Sequence, residues 1–346
     1  MNTERQQSGL SLVELMVAML LGLVLMAGVI EVFVSSRASY SLVGALSETQ
    51  EEGRFATHFV THSIRMAGYT GCNGGTPANI VNTLNNASDF LYNFQVGVQG
   101  FDDQDTSATP PSDLTTTTHA LVSGTDIIAV RTIQSIGVPI ADTMPKSSAE
   151  LKVNNVGNSG LKDGDIVMLT DCSAAAVFQV THVQSSADHV QHNTGGSAPG
   201  NETKDLGQNF RIGSQVQKIA TVIYFIASRD VTNKNCDSGE CALWRKVGTD
   251  DAEELVEGVT NMQVLYGVDT DADNVPNQYV SAKGFSDWDS VVSVKIAFLV
   301  ESQNKATTIP GTPPAYHLLN RTITPPNDGR VRKVFPETIA IRNRVL

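Results

Sequence analysis

Residues 8–34 read SGLSLVELMVAMLLGLVLMAGVIEVFV, and this stretch decides the fold. Residues 15–30 are an unbroken run of 16 apolar residues, flanked by the apolar pieces 10–13 and 32–34. About 25 such residues are enough for a helix to cross a bilayer. The nine residues before it, MNTERQQSG, are polar, and no small-residue cleavage site follows the apolar run as it would in an ordinary secretory signal. The cut expected here precedes the run, after Gly9. Glu14 is the odd residue, because a carboxylate inside an apolar span is costly and so marks function. Cleavage after Gly9 would free an amine on Leu10, one helical turn from Glu14. That amine, on the same chain or a neighbour's, can neutralise the carboxylate in a low-dielectric setting.

These residues resemble the type IV prepilin signature, whose usual form is G-F-T-L-I-E-L. The resemblance implies that a prepilin peptidase cuts after Gly9, that Leu10 becomes the N-methylated first residue, and that Glu14 is the assembly glutamate. Leu10 stands where Phe is commonest in the family.

Outward from this stretch the pattern turns amphipathic. Leu42, Leu46, Ala56, Phe59, Val60, Ile64 and Ala67 recur at helical spacing, and no proline occurs before Pro77. The spacing predicts one helix from about Leu10 to Met66, with Gly22 and Gly28 as its weak points. Residues 68–119 are rich in Gly, Asn, Thr and Ser and read as long loops, with one short element around 89–96. Strand-like runs follow at 126–133, 165–171, 175–183, 218–227, 241–247, 261–268, 290–300 and 331–341. The expected class is therefore α+β: one long N-terminal helix under a large antiparallel β-rich head. The expected organisation is a leader (1–9), a membrane or filament-core half-helix (10–34), an amphipathic half-helix (35–67) and a head (68–346), with a subdivision near the glycine-rich 195–200.

The formal net charge of −12 argues against direct nucleic-acid binding. Arg330, Arg332, Lys333, Arg342 and Arg344 alternate with apolar residues and read as the polar face of a strand. All four cysteines follow the apolar segment, which suggests an oxidising compartment. Four cysteines allow three connectivities. Cys236 and Cys241 frame the turn-rich loop NCDSGEC and are expected to pair, leaving Cys72 with Cys172. Zinc is disfavoured because the spacing is not CxxC-like and no matching His pair accompanies it.

Asp269, Asp271 and Asp273 can converge on a hard cation such as calcium, but the loop lacks the sixth-position Gly and twelfth-position Glu of an EF-hand. A solvated acidic turn is the favoured reading, so no cofactor is expected unless calcium binds there. His58 with His62, read as an exposed polar face, and His182, His189 and His192, read as lying in a polar loop, are weaker metal candidates. Trp244 and Trp288 are expected to pack. No nucleophile–base pair, G-x-S-x-G or phosphate loop occurs, so no enzyme activity is expected.

Several head segments also resemble PilW-type minor pilins: RMAGYTGC (65–72), DCSAAAVFQV (171–180), CALWRK (241–246), LVEGVTNMQVLYGVDTDAD (255–273) and RKVFPETIAIRNR (332–344). This implies a minor pilin that helps prime type IV pilus assembly at the pilus tip, in systems serving twitching motility, DNA uptake or cell adhesion. Its implied partners are prepilin peptidase, other minor pilins, the major pilin and a tip adhesin. Its implied location is the inner membrane by a single pass, with the head in the periplasm. The alternatives are a minor pseudopilin of type II secretion or a tip adhesin module.

Overall fold

The computed structural model describes residues 11–69, 71, 80–103, 111, 114, 116–171, 173–232, 235–236, 239–306 and 314–344. Gly9, Leu10, Cys72 and Cys172 lie outside the described residues. The long helix is present as α1, Leu12–Arg65. It ends where Gly68 takes φ +62 and its N–H donates to the Arg131 carbonyl oxygen.

The described strands, in chain order, are β1 (Ile80–Asn82), β2 (Val98–Phe101), β3 (Ala120–Leu121), β4 (Ile127–Ile133), β5 (Val138–Pro139), β6 (Glu150–Lys152), β7 (Ile166–Thr170), β8 (Ala175–Gln179), β9 (His182–Gln184), β10 (His189–Gln191), β11 (Gln215–Ser228), β12 (Cys241–Val247), β13 (Glu253–Glu257), β14 (Val259–Val268), β15 (Gln278–Val280), β16 (Val291–Glu301), β17 (Tyr316–Leu318), β18 (Arg321–Ile323) and β19 (Arg332–Ala340). Pairing is antiparallel except between β1 and β8. The fold is thus α+β with the helix segregated from the strands, as expected. The expected element at 89–96 is instead a run of turns, and β1 and β2 occupy part of the stretch read as loop. Both strands are short, and they gain strand geometry only by pairing with β8 and β4.

β11 is the spine of a ten-stranded sheet. Its first residues, 215–218, pair with β7 and help build a core around Leu169, Phe178, Phe210 and Val216. Its later residues pair with β4 and β12. A second sheet runs β15-β14-β16-β19, with β19 at its edge. The main core lies where α1 meets both sheets: Ala56, Val60 and Ile64 pack with Tyr224, Met262, Val264, Ile296, Phe298 and Ile339. Burying such aliphatic side chains is worth about 1.5–3 kcal/mol each. The head therefore grips α1 only from Ala45 onward. Gly53 lets the Phe335 ring of β19 lie directly on the helix backbone. Ser63 Oγ and Tyr224 Oη hydrogen-bond at 2.7 Å inside the core, and Asn343 Nδ2 donates to the Ala67 carbonyl at 3.0 Å.

Candidate functional site

The N-terminal half of α1 carries the first site. Residues 12–44 are exposed except for half-buried Ala38 and Ser41, so the apolar face meets no part of the head. At a rise of 1.5 Å per residue, residues 12–34 span roughly 35 Å, enough to cross a bilayer, and 35–44 add a stalk of roughly 15 Å. The helix starts at Leu12 rather than Leu10 because Ser11 is its N-cap. Ser11 Oγ accepts from the Glu14 N–H at 3.3 Å, and Glu14 Oε2 accepts from the Ser11 N–H at 2.9 Å. This reciprocal capping box satisfies two helix-end donors. Glu14 is therefore a cap as well as a charge in an apolar span. The expected partner, the Leu10 amine, lies outside the described residues. Glu14 Oε1 has no partner among those residues.

In the second site, the 269–274 turn, Asp269, Asp271 and Asp273 offer ligand atoms within 4.8 Å of one another. Asp269 already accepts from the N–H groups of Asp271 (3.1 Å), Ala272 (2.7 Å) and Asn274 (2.8 Å). Slight burial opposes the shift, but these donors hold the Asp269 carboxyl below the usual range. Ala272 and Asn274 take positive φ (60° and 65°), so Asn274 supplies the left-handed turn where an EF-hand has Gly.

The other candidates separate. Cys236 and Cys241 form the expected disulfide. His182 pairs with Asp163 at 3.2 Å and His189 with Glu150 at 2.6 Å, while His192 is fully buried against Phe178, so the three histidines do not converge. Burial holds His192 down at about 4, with Lys204 adding to the effect. Trp244 is buried, stacks on His119 at 4.4 Å and donates to the Ala227 carbonyl. Trp288 is half-buried, edge-on to Tyr266 and Phe285.

The basic C-terminal stretch divides rather than forming one polar strand face. The Arg332 side chain is only 4% exposed and bonds Glu301 (2.6 Å) and Asp328 (2.6 and 2.9 Å). Arg330 donates to the carbonyls of Ser302 and Gln303 and packs on Gly239 of the disulfide loop. Two carboxylates neutralise these guanidinium groups, which is what permits their burial. Asp328 is only four residues from Arg332, but the pairing with Glu301, about thirty residues upstream, has no local signal in the sequence.

A third feature went unread in the sequence. A groove of about 1280 Å³ runs between α1 and β19. His58 and His62 line it, and both are exposed as expected.

Comparison with known proteins agrees with both halves of this description. Residues 223–343 match the family model described as Type IV Pilus-assembly protein W, and residues 5–30 match the prokaryotic N-terminal methylation motif. No curated protein and no solved structure matches the chain. The two matches support a PilW-type pilin with a prepilin signature.

Proposed function

We propose, from a chain that carries the PilW-type region and the methylation motif of a type IV pilus-associated pilin, that it is a structural minor pilin priming pilus assembly near the tip. The observation that carries this reading is the bare half of α1. An apolar helix that its own head leaves uncovered needs lipid first and neighbouring helices afterwards. The precursor sits in the inner membrane with its head in the periplasm, and prepilin peptidase cuts after Gly9. The new Leu10 amine, on this chain or a neighbour's, then takes the free Oε1 side of Glu14 as the helix joins those of other minor pilins and the major pilin. A tip adhesin is a further partner. The bulk of the head suits a tip better than a repeated shaft, where it would crowd its neighbours. The chain acts by assembly and not by catalysis.

The test separates the two roles of Glu14. Glu14→Ala should leave membrane insertion intact and sharply lower the amount of protein in sheared pili. Ser11→Ala removes the cap alone, a loss of about 0.5–2 kcal/mol in helix stability, and should be milder. Equal incorporation of wild type and Glu14→Ala would refute the assembly role.

A further inference from the structure

The groove between α1 and β19 is basic on an acidic protein. Arg54, Arg65, Lys333 and Arg342 line it against two acids, Glu51 and Glu337, a local net charge of +2 on a chain of −12. Among the described residues, no ion pair or hydrogen bond engages the side chains of Arg54, Arg65 or Arg342, whereas most other arginines are paired. A second observation is independent of charge. The Thr61 hydroxyl is nine-tenths buried at the groove wall and has no hydrogen-bond partner among the described residues. A buried hydroxyl left unpaired is unfavourable, and an incoming polar group would satisfy it. Phe55, 47% exposed, and Pro336 add apolar surface beside it.

We propose that this groove is a docking site for an acidic, amphipathic segment of another subunit of the same assembly. Its carboxylates would meet Arg54, Arg65 and Arg342, its apolar residues Phe55, and one polar group the Thr61 hydroxyl. The volume exceeds the 300–1,000 Å³ usual for small-molecule sites, which favours a peptide. The groove begins at Ser47, 13 residues and roughly 20 Å beyond Val34, the end of the apolar segment, so it stands clear of lipid headgroups. Pro336 removes one backbone donor from the exposed edge of β19, so side chains rather than strand addition carry the contact. The identity of the partner rests on the pilin reading; the chemistry of the groove does not.

The experiment measures fluorescence anisotropy of a labelled ten-residue peptide of alternating Glu and Leu with the full chain in detergent micelles. Binding should weaken on the order of tenfold in the double variant Arg54→Glu/Arg342→Glu. It should weaken again in 500 mM salt and severalfold in Thr61→Val, with unchanged melting temperatures as the folding control. Equal binding by the variants, equal binding of a Lys-Leu peptide, or tighter binding of a single-stranded DNA decamer would overturn the proposal. In piliated cells, a photo-crosslinker in place of Phe55 should capture an acidic segment of another pilin-type subunit. Failure to capture one, with the mature N-terminus still at Leu10, overturns the groove and spares the pilin reading.

Discussion

The ring of Phe335 fills the space where a β-carbon on residue 53 would sit, so the head can close on α1 only because residue 53 is glycine. Glycine costs a helix about 0.8–1.0 kcal/mol relative to alanine, and close packing offsets that cost. Gly53→Ala should therefore destabilise the head by about 1–3 kcal/mol. Gly44→Ala, at an exposed helical position with nothing near a β-carbon, should be neutral or stabilising. Denaturant midpoints of the two variants check this, and Phe335→Ala in the Gly53→Ala background should recover part of the loss.

The Ser63–Tyr224 hydrogen bond joins α1 to the spine strand inside the core. Tyr224→Phe and Ser63→Ala should each cost about 1 kcal/mol. The double variant should cost less than the sum of the two, and a double-mutant cycle measures that coupling.

The buried ion pairs between the end of β16 and the start of β19 hold the segment around 301–332. Arg332→Met leaves Glu301 and Asp328 without their guanidinium and should cost about 3–5 kcal/mol. Arg332→Lys should restore little, because an ammonium cannot reproduce the bidentate contact with Asp328. Thermal unfolding of both variants tests this.

Two buried groups give the stability opposite pH slopes. Burial pushes the Asp126 carboxyl up to about 7, although the Val264 N–H opposes the shift. The folded state therefore holds a proton that the unfolded chain releases near pH 3.9. Stability from Asp126 is full below that pH and is lost as pH rises toward 7. His192 is held neutral down to about pH 4, so its penalty is absent above about 6.5 and grows as pH falls. Between pH 4 and 6.5 the two slopes oppose each other. Urea midpoints should show Asp126→Asn gaining stability over wild type as pH rises from 4 to 7. His192→Phe should gain over wild type as pH falls from 6.5 to 4.

The 269–274 turn closes on Asp269, which accepts from three backbone N–H groups. Asp269→Ala should speed amide exchange at Asp271, Ala272 and Asn274 even in chelator, read by hydrogen–deuterium exchange. Unchanged exchange would remove Asp269 from that role.

Much of this architecture is legible in the chain. The apolar run, the 3.6-residue spacing after it and the β-branched runs place α1 and the long strands within a few residues, because those elements bury their own pattern. The weak elements are not legible. β1 and β2 sit in a Gly- and Asn-rich stretch and exist only through distant partners. Arg332 looks like an exposed strand residue because Glu301, the acid buried against it, lies 31 residues upstream. Gly53 looks like a flaw in a helix until β19, some 280 residues later, is laid on it. The α1–β19 groove is invisible for the same reason: two segments at opposite ends of the chain create it.

The most direct test of the central claim is the N-terminal peptide of the protein from native membranes, read by mass spectrometry. No Lys or Arg lies between Gln6 and Ser36, so trypsin releases one diagnostic peptide ending at Arg37. A peptide that begins at Leu10 and carries one added methyl group is the predicted result. A peptide that retains Gln6 to Gly9 would contradict it and leave a plain membrane-tethered domain.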